Sequence, residues 1–455
     1  EKDSMKVLII GTGYVGLTTA IALAYLGNDV TCLDINSEKI NKLKGGNAPF
    51  YEPHLDDMLQ LALPRLSFTD SYDQAGIPES DIIFITVGTP SLEDGSANLE
   101  YVRQAAESIA TRLGERFVVV VNKSTVPIGA GNWVDAVIRE TFQKQNGHQP
   151  NGNYNVISSP EFLKQGMALH DTLYPDRIII GSEHPASIAR LSELFQPLLR
   201  QDFPEPPGLP RPADLREVPL VVCDVTSAEV IKYAANSFLA LKISYINEIA
   251  RLSQKVGADI NQIARGIGLD KRIGPRFLEA GIGWGGSCFG KDTAALVATA
   301  REYKLEMPII QAAREINYGQ RAWVVDALQE ALKILKGRRV ALLGFSFKPD
   351  TDDLRDAPAV DIARMLLQRG ALVRAHDPVA LGNARRQYGD LGVTFCDDVQ
   401  ECLADAEAIV LVTAWPIYRE LDWEHVPPVP LVDGRNFLER ERLQSLGFQV
   451  IGVGR

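Results

Sequence analysis

The chain has 455 residues, of which 45% are hydrophobic and 23% charged, and a formal net charge of -11. This is the composition of an ordinary globular protein with room for two or three cores, and it excludes a disordered chain. With no basic stripe to offset phosphate repulsion, the acidic balance argues against a nucleic-acid binder and requires a locally basic pocket for any anionic ligand.

Taken in chain order, short β-rich runs alternate with helical patterns, as in parallel βαβ units. Lys6–Ile10 reads as a strand, residues 17–26 as a helix and Asp29–Leu33 as the next strand. Further strands are expected at residues 82–87, 117–122 and 178–180, within a first domain spanning residues 1–210. The proline density of residues 204–212 excludes regular helix or central strand and predicts an exposed linker or insertion. Residues 227–256 contain neither proline nor glycine and carry apolar positions at helical spacing, which predicts one long helix within a central region at 211–325. From Arg339 a second alternation begins, with strand at 340–343, helix at 359–368 and strand at 372–375, in a last domain at 326–455. The fold class is therefore α/β: two Rossmann-like domains joined by a long central helix. No apolar run approaches the ~18 residues of a membrane span, and no basic segment leads into an apolar one at the start, so neither a span nor a secretory signal is expected. Glu1 to Ser4, ahead of Met5, read as residues added before the natural start.

Between the first strand and helix lies Gly11-Thr12-Gly13-Tyr14-Val15-Gly16. Gly11 permits a tight turn, Gly13 lets backbone N–H groups approach a phosphate, and Gly16 lets helix and strand pack closely. Asp34, eighteen residues beyond Gly16, ends the second strand. A carboxylate there accepts hydrogen bonds from ribose hydroxyls and repels a 2′-phosphate, which favours NAD over NADP. In the second half, Gly344-Phe345-Ser346-Phe347-Lys348-Pro349 lacks the second and third glycines, so this half is expected to hold a different nucleotide group.

Five scattered cysteines (Cys32, Cys223, Cys288, Cys396, Cys402) are odd in number and lack metal-ligand spacing, so no disulfide framework is expected and a reducing cytoplasm is the expected compartment. The six histidines give no metal cluster. Cys288 stands apart in Gly285-Gly286-Ser287-Cys288-Phe289-Gly290-Lys291-Asp292. Glycines remove steric cover, while Lys291 and a helix starting at Asp292 supply positive potential that favours thiolate. A buried cysteine is otherwise a small hydrophobe, the reading that suits Cys32. A thiol and a dinucleotide turn together suggest oxidation through a covalent thioester. On residue type alone, Lys232 reads as a solvated helix lysine, Asn236 as a helix-face amide, Asp292 as a helix cap, Thr125 as a turn former and Glu161 as a surface carboxylate.

These segments, with Val87-Gly88-Thr89-Pro90, Lys123-Ser124-Thr125-Val126-Pro127, Pro160-Glu161-Phe162-Leu163, Ile231-Lys232-Tyr233-Ala234-Ala235-Asn236 and Phe347-Lys348-Pro349-Asp350-Thr351, resemble the UDP-glucose/GDP-mannose dehydrogenase family over nearly the whole chain. The resemblance implies a four-electron oxidation of a nucleotide-sugar alcohol with two NAD per turnover and an active site in the cleft between the domains. UDP-glucose is the implied substrate, with GDP-mannose or a UDP-N-acetylhexosamine as the alternative, and a non-catalytic nucleotide-sugar sensor as the reading from another class. It casts Cys288 as nucleophile, Lys232 and Asn236 as oxyanion donors, Asp292 and Thr125 as the pair handling water and the first proton, and Glu161 as the base for hydrolysis. Position 165, often a second glutamate in the family, is Gln165 here, and an amide cannot serve as a base. Tyr14, Val15, Lys39, Thr89, Thr125, Lys291 and Arg355 are the implied additional cofactor contacts. Phe162, Leu163, Phe277, Leu278, Gly285, Phe347, Lys348 and Arg435 are implied at the substrate beside Glu161, Lys232 and Asn236, with a flexible loop at 277–286 closing over the sugar. Arg272 is implied to reach the nucleotide sugar across a dimer interface, and dimerisation through the long helix is the expected minimum assembly.

Overall fold

The computed structural model describes residues 4–455; the residues expected to be an added start fall mostly on 1–3, outside the described part. Two compact units meet within one helix, the first running to Ala234 and the second covering Ala235–Arg455.

The first unit is built on eight strands: β1 (Lys6–Ile10), β2 (Asp29–Leu33), β3 (Leu66–Thr69), β4 (Ile82–Ile85), β5 (Val118–Asn122), β6 (Tyr154–Ser158), β7 (Ile178–Gly181) and β8 (Leu220–Cys223). They lie in the order β3-β2-β1-β4-β5-β6-β7-β8. The first six are mutually parallel, and β7 meets β6 antiparallel. Residues alternate across the sheet: Val7 and Ile9 of β1 enter the core beneath one face, Leu8 and Ile10 the core on the other. Burial on both faces explains runs such as Val118-Val119-Val120-Val121 in place of polar alternation.

The opening helix starts at Tyr14, three residues earlier than the pattern suggests, because Leu17 N already donates to Gly13 O (3.0 Å) and so closes the first turn. The proline-rich segment is irregular, as expected, but it is not a free linker. Phe203, Pro206 and Leu209 are buried, Tyr174 Oη donates to Leu209 O (2.6 Å), and Arg211 packs over the Phe203 ring. The chain then returns as β8 to the same sheet, so the first sheet does not end near residue 210. The long helix runs Val225–Val256, 32 residues.

The second unit carries β9 (Arg339–Leu343), β10 (Leu372–His376), β11 (Thr394–Phe395), β12 (Ala408–Leu411), β13 (Pro430–Asp433) and β14 (Gln449–Gly452). Their order is β11-β10-β9-β12-β13-β14, all parallel. Val340 and Leu342 point into one core, Ala341 and Leu343 into the other.

Candidate active site

At the end of β1 the glycine turn has the geometry a dinucleotide requires. Gly11 adopts φ 99°, and a Cβ there would lie 2.8 Å from Thr86 O. At Gly16 a Cβ would lie 1.8 Å from Gly11 O, so only glycine lets the helix start against the strand. Nothing lies within 4 Å of the Cβ position of Gly13, which leaves space for a phosphate. Asp34 Oδ2 accepts from Thr12 N (3.0 Å) and Thr12 Oγ1 (2.7 Å), while Oδ1 accepts from Asn36 N (2.9 Å). These bonds fix the carboxylate yet leave it partly exposed, with Lys39 Nζ 4.0 Å away. The Tyr14 ring packs on Phe50 (4.2 Å between centroids), and Thr89 Oγ1 donates to the carbonyl of Thr125. The chain's own residues thus fit an NAD at this turn.

A second cluster lies where β5 and β6 end, also within the first unit. Lys232 is 4% exposed and Glu161 9%, which overturns their readings as a solvated lysine and a surface carboxylate. Lys232 Nζ donates to Glu161 O (2.6 Å) and Oε1 (3.0 Å), and Leu163 N donates to Oε2 (2.8 Å). Two cations stand over the Phe162 ring, Arg177 Cζ at 3.5 Å and Lys232 Nζ at 5.4 Å from its centroid. Lys123 stands beside this pair; burial pushes its ammonium down to about 8, the Glu161 charge opposing and the Lys232 charge reinforcing that shift. Glu52 accepts from Gly166 N (3.0 Å) and Ala168 N (2.8 Å), pinning the segment that follows Glu161.

In the second unit Cys288 is half-buried and caps the N-terminus of a helix, Phe289–Glu302. Asp292 is not the cap. It lies inside the first turn, 1% exposed, its N–H donating to Cys288 O (2.7 Å). Asn236 Nδ2 donates to Asp292 Oδ2 (2.7 Å), and Lys291 Nζ lies 3.5 Å from Oδ1. Asn236 is thus a buried partner of the cysteine helix. Carboxylate and amide meet one turn after Cys288 although 56 residues separate Asn236 from Asp292.

The loop before Cys288 is fixed. Ala280 to Gly286 are all buried. Asn247 Oδ1 accepts from Gly281 N (2.9 Å), Asn317 Oδ1 accepts from Trp284 N (2.7 Å), and Gly286 N donates to Arg355 O (2.8 Å). At the start of the segment expected to close over the sugar, 277–286, Phe277 sits at φ 64°. Leu278 is committed to a core with Ile246 and Ile260, leaving its backbone for any ligand. The Phe347 ring covers the glycines: a Cβ on Gly286 would lie 2.7 Å from it, and one on Gly285 would lie 2.3 Å from Asp356 O. Lys348 Nζ lies 5.5 Å from the Phe347 centroid.

Arg435 serves the fold as well as any ligand, since Nε donates to Val412 O (2.9 Å) and Nη1 to Gly283 O (2.9 Å). Burial lowers its guanidinium to about 10, with the Arg321 charge adding to the effect. Arg355 forks onto Asp353 (2.5 to 3.0 Å). Arg272 is exposed and forks onto Asp270. No group of His, Cys, Asp and Glu among the described residues is arranged to hold a metal, and no helix among them is long and apolar enough to cross a membrane.

Lys123, Arg177, Glu52 and the polar face of the helix Pro308–Leu332 received no assignment from sequence. For that face a signal existed: Arg314, Asn317, Tyr318 and Arg321 recur at helical spacing, on the helix whose Ala313, Val324, Val325 and Leu328 are buried.

An open glycine turn with a carboxylate at the end of the second strand is the arrangement of an NAD-dependent oxidoreductase. Three family models for UDP-glucose/GDP-mannose dehydrogenases match the chain: the NAD binding domain at residues 5–199, the central domain at 226–319 and the UDP binding domain at 341–440. The chain belongs to the UDP-glucose/GDP-mannose dehydrogenase family. It is 42% identical over 457 residues to UDP-glucose 6-dehydrogenase TuaD of Bacillus subtilis (strain 168), covering 99% of this chain and 93% of that protein. It is 41% identical to a UDP-glucose 6-dehydrogenase of Rhizobium meliloti (strain 1021), covering 99% of this chain and all of the relative. Among solved structures, a UDP-glucose dehydrogenase from the hyperthermophilic archaeon Pyrobaculum islandicum superposes with a TM-score of 0.88 at 37% identity, covering 99% of this chain and 97% of that one.

Proposed function

We propose that the chain oxidises UDP-glucose to UDP-glucuronate in two NAD-dependent steps through an adduct on Cys288. The observation that carries this reading is Cys288 at a helix N-terminus with Asp292, bound by Asn236, one turn behind it, in a chain about 40% identical over its length to UDP-glucose 6-dehydrogenases. Bound NAD supplies the hydride acceptor. The first oxidation removes a hydride from C6 and a proton from its hydroxyl, with Asp292 and a water held by Thr125 taking the proton. The Cys288 thiolate adds to the resulting aldehyde, giving a thiohemiacetal that retains one hydrogen at C6. Loss of that hydrogen as a hydride, with the hydroxyl proton, leaves a thioester. Water adds to the thioester, the C–S bond breaks, and the acid leaves with the thiol restored. Lys232 and Asn236 are the donors for the oxyanions along this path. Glu161 is the base for hydrolysis, because Gln165 supplies only an amide.

The diphosphate is assigned to Lys348 and the family's UDP binding domain, with Phe277, Phe347 and Arg435 beside it. A homodimer through the long helix is supported by Phe238, Tyr245 and Leu252, 61%, 49% and 60% exposed at seven-residue spacing. In that dimer Arg272 serves the neighbouring copy, and sedimentation at micromolar concentration tests the assembly.

The deciding measurement is stoichiometry. Limiting UDP-glucose should yield two NADH per sugar and no free aldehyde, and Cys288→Ser should fold, bind both ligands and lose steady turnover. One NADH per sugar, or near-normal turnover by folded Cys288→Ser, would sink the thioester route.

A further inference from the structure

One face of the helix Pro308–Leu332 grips the cysteine loop. Arg314 Nη1 donates to Gly290 O (2.6 Å) and Thr293 Oγ1 (2.7 Å), in the first turn of the cysteine helix. One turn on, Asn317 holds both polar groups of the Trp284 peptide, accepting from its N–H (2.7 Å) and donating to its carbonyl (3.1 Å). A further turn on, Arg321, 2% exposed, spreads its guanidinium over four acceptors. Nη1 donates to Asp356 Oδ1 (2.9 Å) and Asp361 Oδ2 (2.6 Å), and Nη2 to Trp284 O (2.9 Å) and Asp356 O (3.0 Å). Asp356 Oδ2 accepts in turn from Tyr318 Oη (2.9 Å).

This node lies directly behind the nucleophile's helix. A Cβ on Gly290 would lie 2.8 Å from Asp356 Oδ2 and 3.0 Å from Tyr318 Oη, so the first turn rests on the carboxylate. Asp356 holds φ 49°, a left-handed conformation that asparagine and aspartate tolerate best. Its neighbour Arg355 accepts Gly286 N–H through its carbonyl. The loop thus reaches Arg321 from both sides of Cys288: through Trp284, and through Gly290 by way of Asp356.

We propose that Arg321 is a positioning residue for Cys288, fixing through Asp356 and the Trp284 carbonyl where the thiol stands at its helix N-terminus. A planar guanidinium serves four acceptors at once, whereas an ammonium at the same place has one point of charge and three donors. The assignment rests on Cys288 being the nucleophile proposed above.

The test is alkylation of the full chain by iodoacetamide, without substrate or NAD, followed by peptide mass. Half-buried Cys223 serves as the internal reference, and buried Cys32, its thiol pushed up to about 12, as the unreactive control. Arg321→Lys should slow labelling of Cys288 about tenfold or more and raise the midpoint of its pH profile, since misplacement by about 1 Å costs up to about a hundredfold in a reaction needing alignment. Labelling of Cys223 should not change, and kcat should fall with KM for UDP-glucose nearly constant. Tyr318→Phe, which removes one hydrogen bond, should move the Cys288 profile in the same direction by a smaller factor. A Cys288 profile in Arg321→Lys that superposes on wild type while Tm falls would overturn the proposal. If that variant does not fold, an unchanged profile in both Tyr318→Phe and Asp356→Asn overturns it. Turnover by Cys288→Ser would refute the thioester route and leave the alkylation result standing.

Discussion

Gly11 and Gly344 occupy the same place in their two sheets. Each follows the central strand at a positive φ, 99° and 95°, and each donates its N–H to the last residue of the neighbouring strand, Leu33 O (2.7 Å) and His376 O (2.8 Å). An aspartate follows in both halves, Asp34 and Asp377. Asp34 accepts three protein hydrogen bonds and stays partly exposed. Asp377 is 1% exposed and takes Phe345 N, Ser346 N, Ser346 Oγ and Trp415 Nε1 on one oxygen, Val379 N and Ala380 N on the other. The second half has kept its acid and filled its coordination from within. The same backbone leaves a partly open carboxylate in one half and makes an internal anchor in the other, and the difference lies in the donors around one carboxylate.

Exchanging features between the halves should separate stability from binding. The largest effect is expected for Asp377→Ala, which orphans buried donors at about 1 to 3 kcal/mol each. A loss of roughly 3 to 5 kcal/mol in urea unfolding should follow, with NAD affinity unchanged in whatever fraction remains folded. Gly13→Ser copies Ser346 into the first half. With open space at that position the Tm should hold, while NAD binding measured by calorimetry should weaken about a hundredfold, near 2.7 kcal/mol. A smaller change, about tenfold, is expected for Asp34→Ala, with NADP less affected than NAD and Tm within a few degrees. Equal wild-type rates with both cofactors would contradict the ribose assignment.

The smallest effect concerns Lys123, which follows β5 where the second half has Gly434 after β13. Its folded pKa of about 8 lies below the ordinary 10.5, so the fold disfavours the charged form. That cost is complete below about pH 8 and fades as pH rises toward 10.5. Lys123→Met should therefore stabilise the chain by about 1 to 2 kcal/mol at pH 7, an advantage that shrinks above pH 8 and vanishes above 10.5. A stability difference independent of pH would remove the buried-cation account.

Local chemistry made much of this legible. β-branched runs such as Val118 to Val121 mark strands buried on both faces, and the glycine turn with Asp34 carries its own geometry. The 32-residue helix was visible because nothing interrupts it. What stayed hidden depends on partners distant in sequence. β8 follows a proline-rich stretch, and pairing with β7 decides that Leu220–Cys223 is a strand. The proline segment looked like a linker because Phe203, Pro206 and Leu209 have no apolar periodicity of their own. Cysteine is an unusual cap, so the helix start was assigned to Asp292 and not to Cys288. The structural role of Arg435 stayed hidden because the sequence cannot display Val412 O and Gly283 O.

Glu229 carries a consequence for the order in which the chain acquires structure. The helix Ala130–Asn146 begins at Gly129 with no side-chain cap of its own. Its first backbone N–H groups, at Gly129 and Gly131, are taken by the Glu229 carboxylate (2.6 and 2.9 Å), 100 and 98 residues downstream. A cap supplied across so long a loop forms only after that loop has closed, a slow class of contact. During synthesis, the turn after Thr125 therefore stays frayed until the ribosome has released the start of the long helix. The dinucleotide half reaches its finished form only when the helix bearing Lys232 docks.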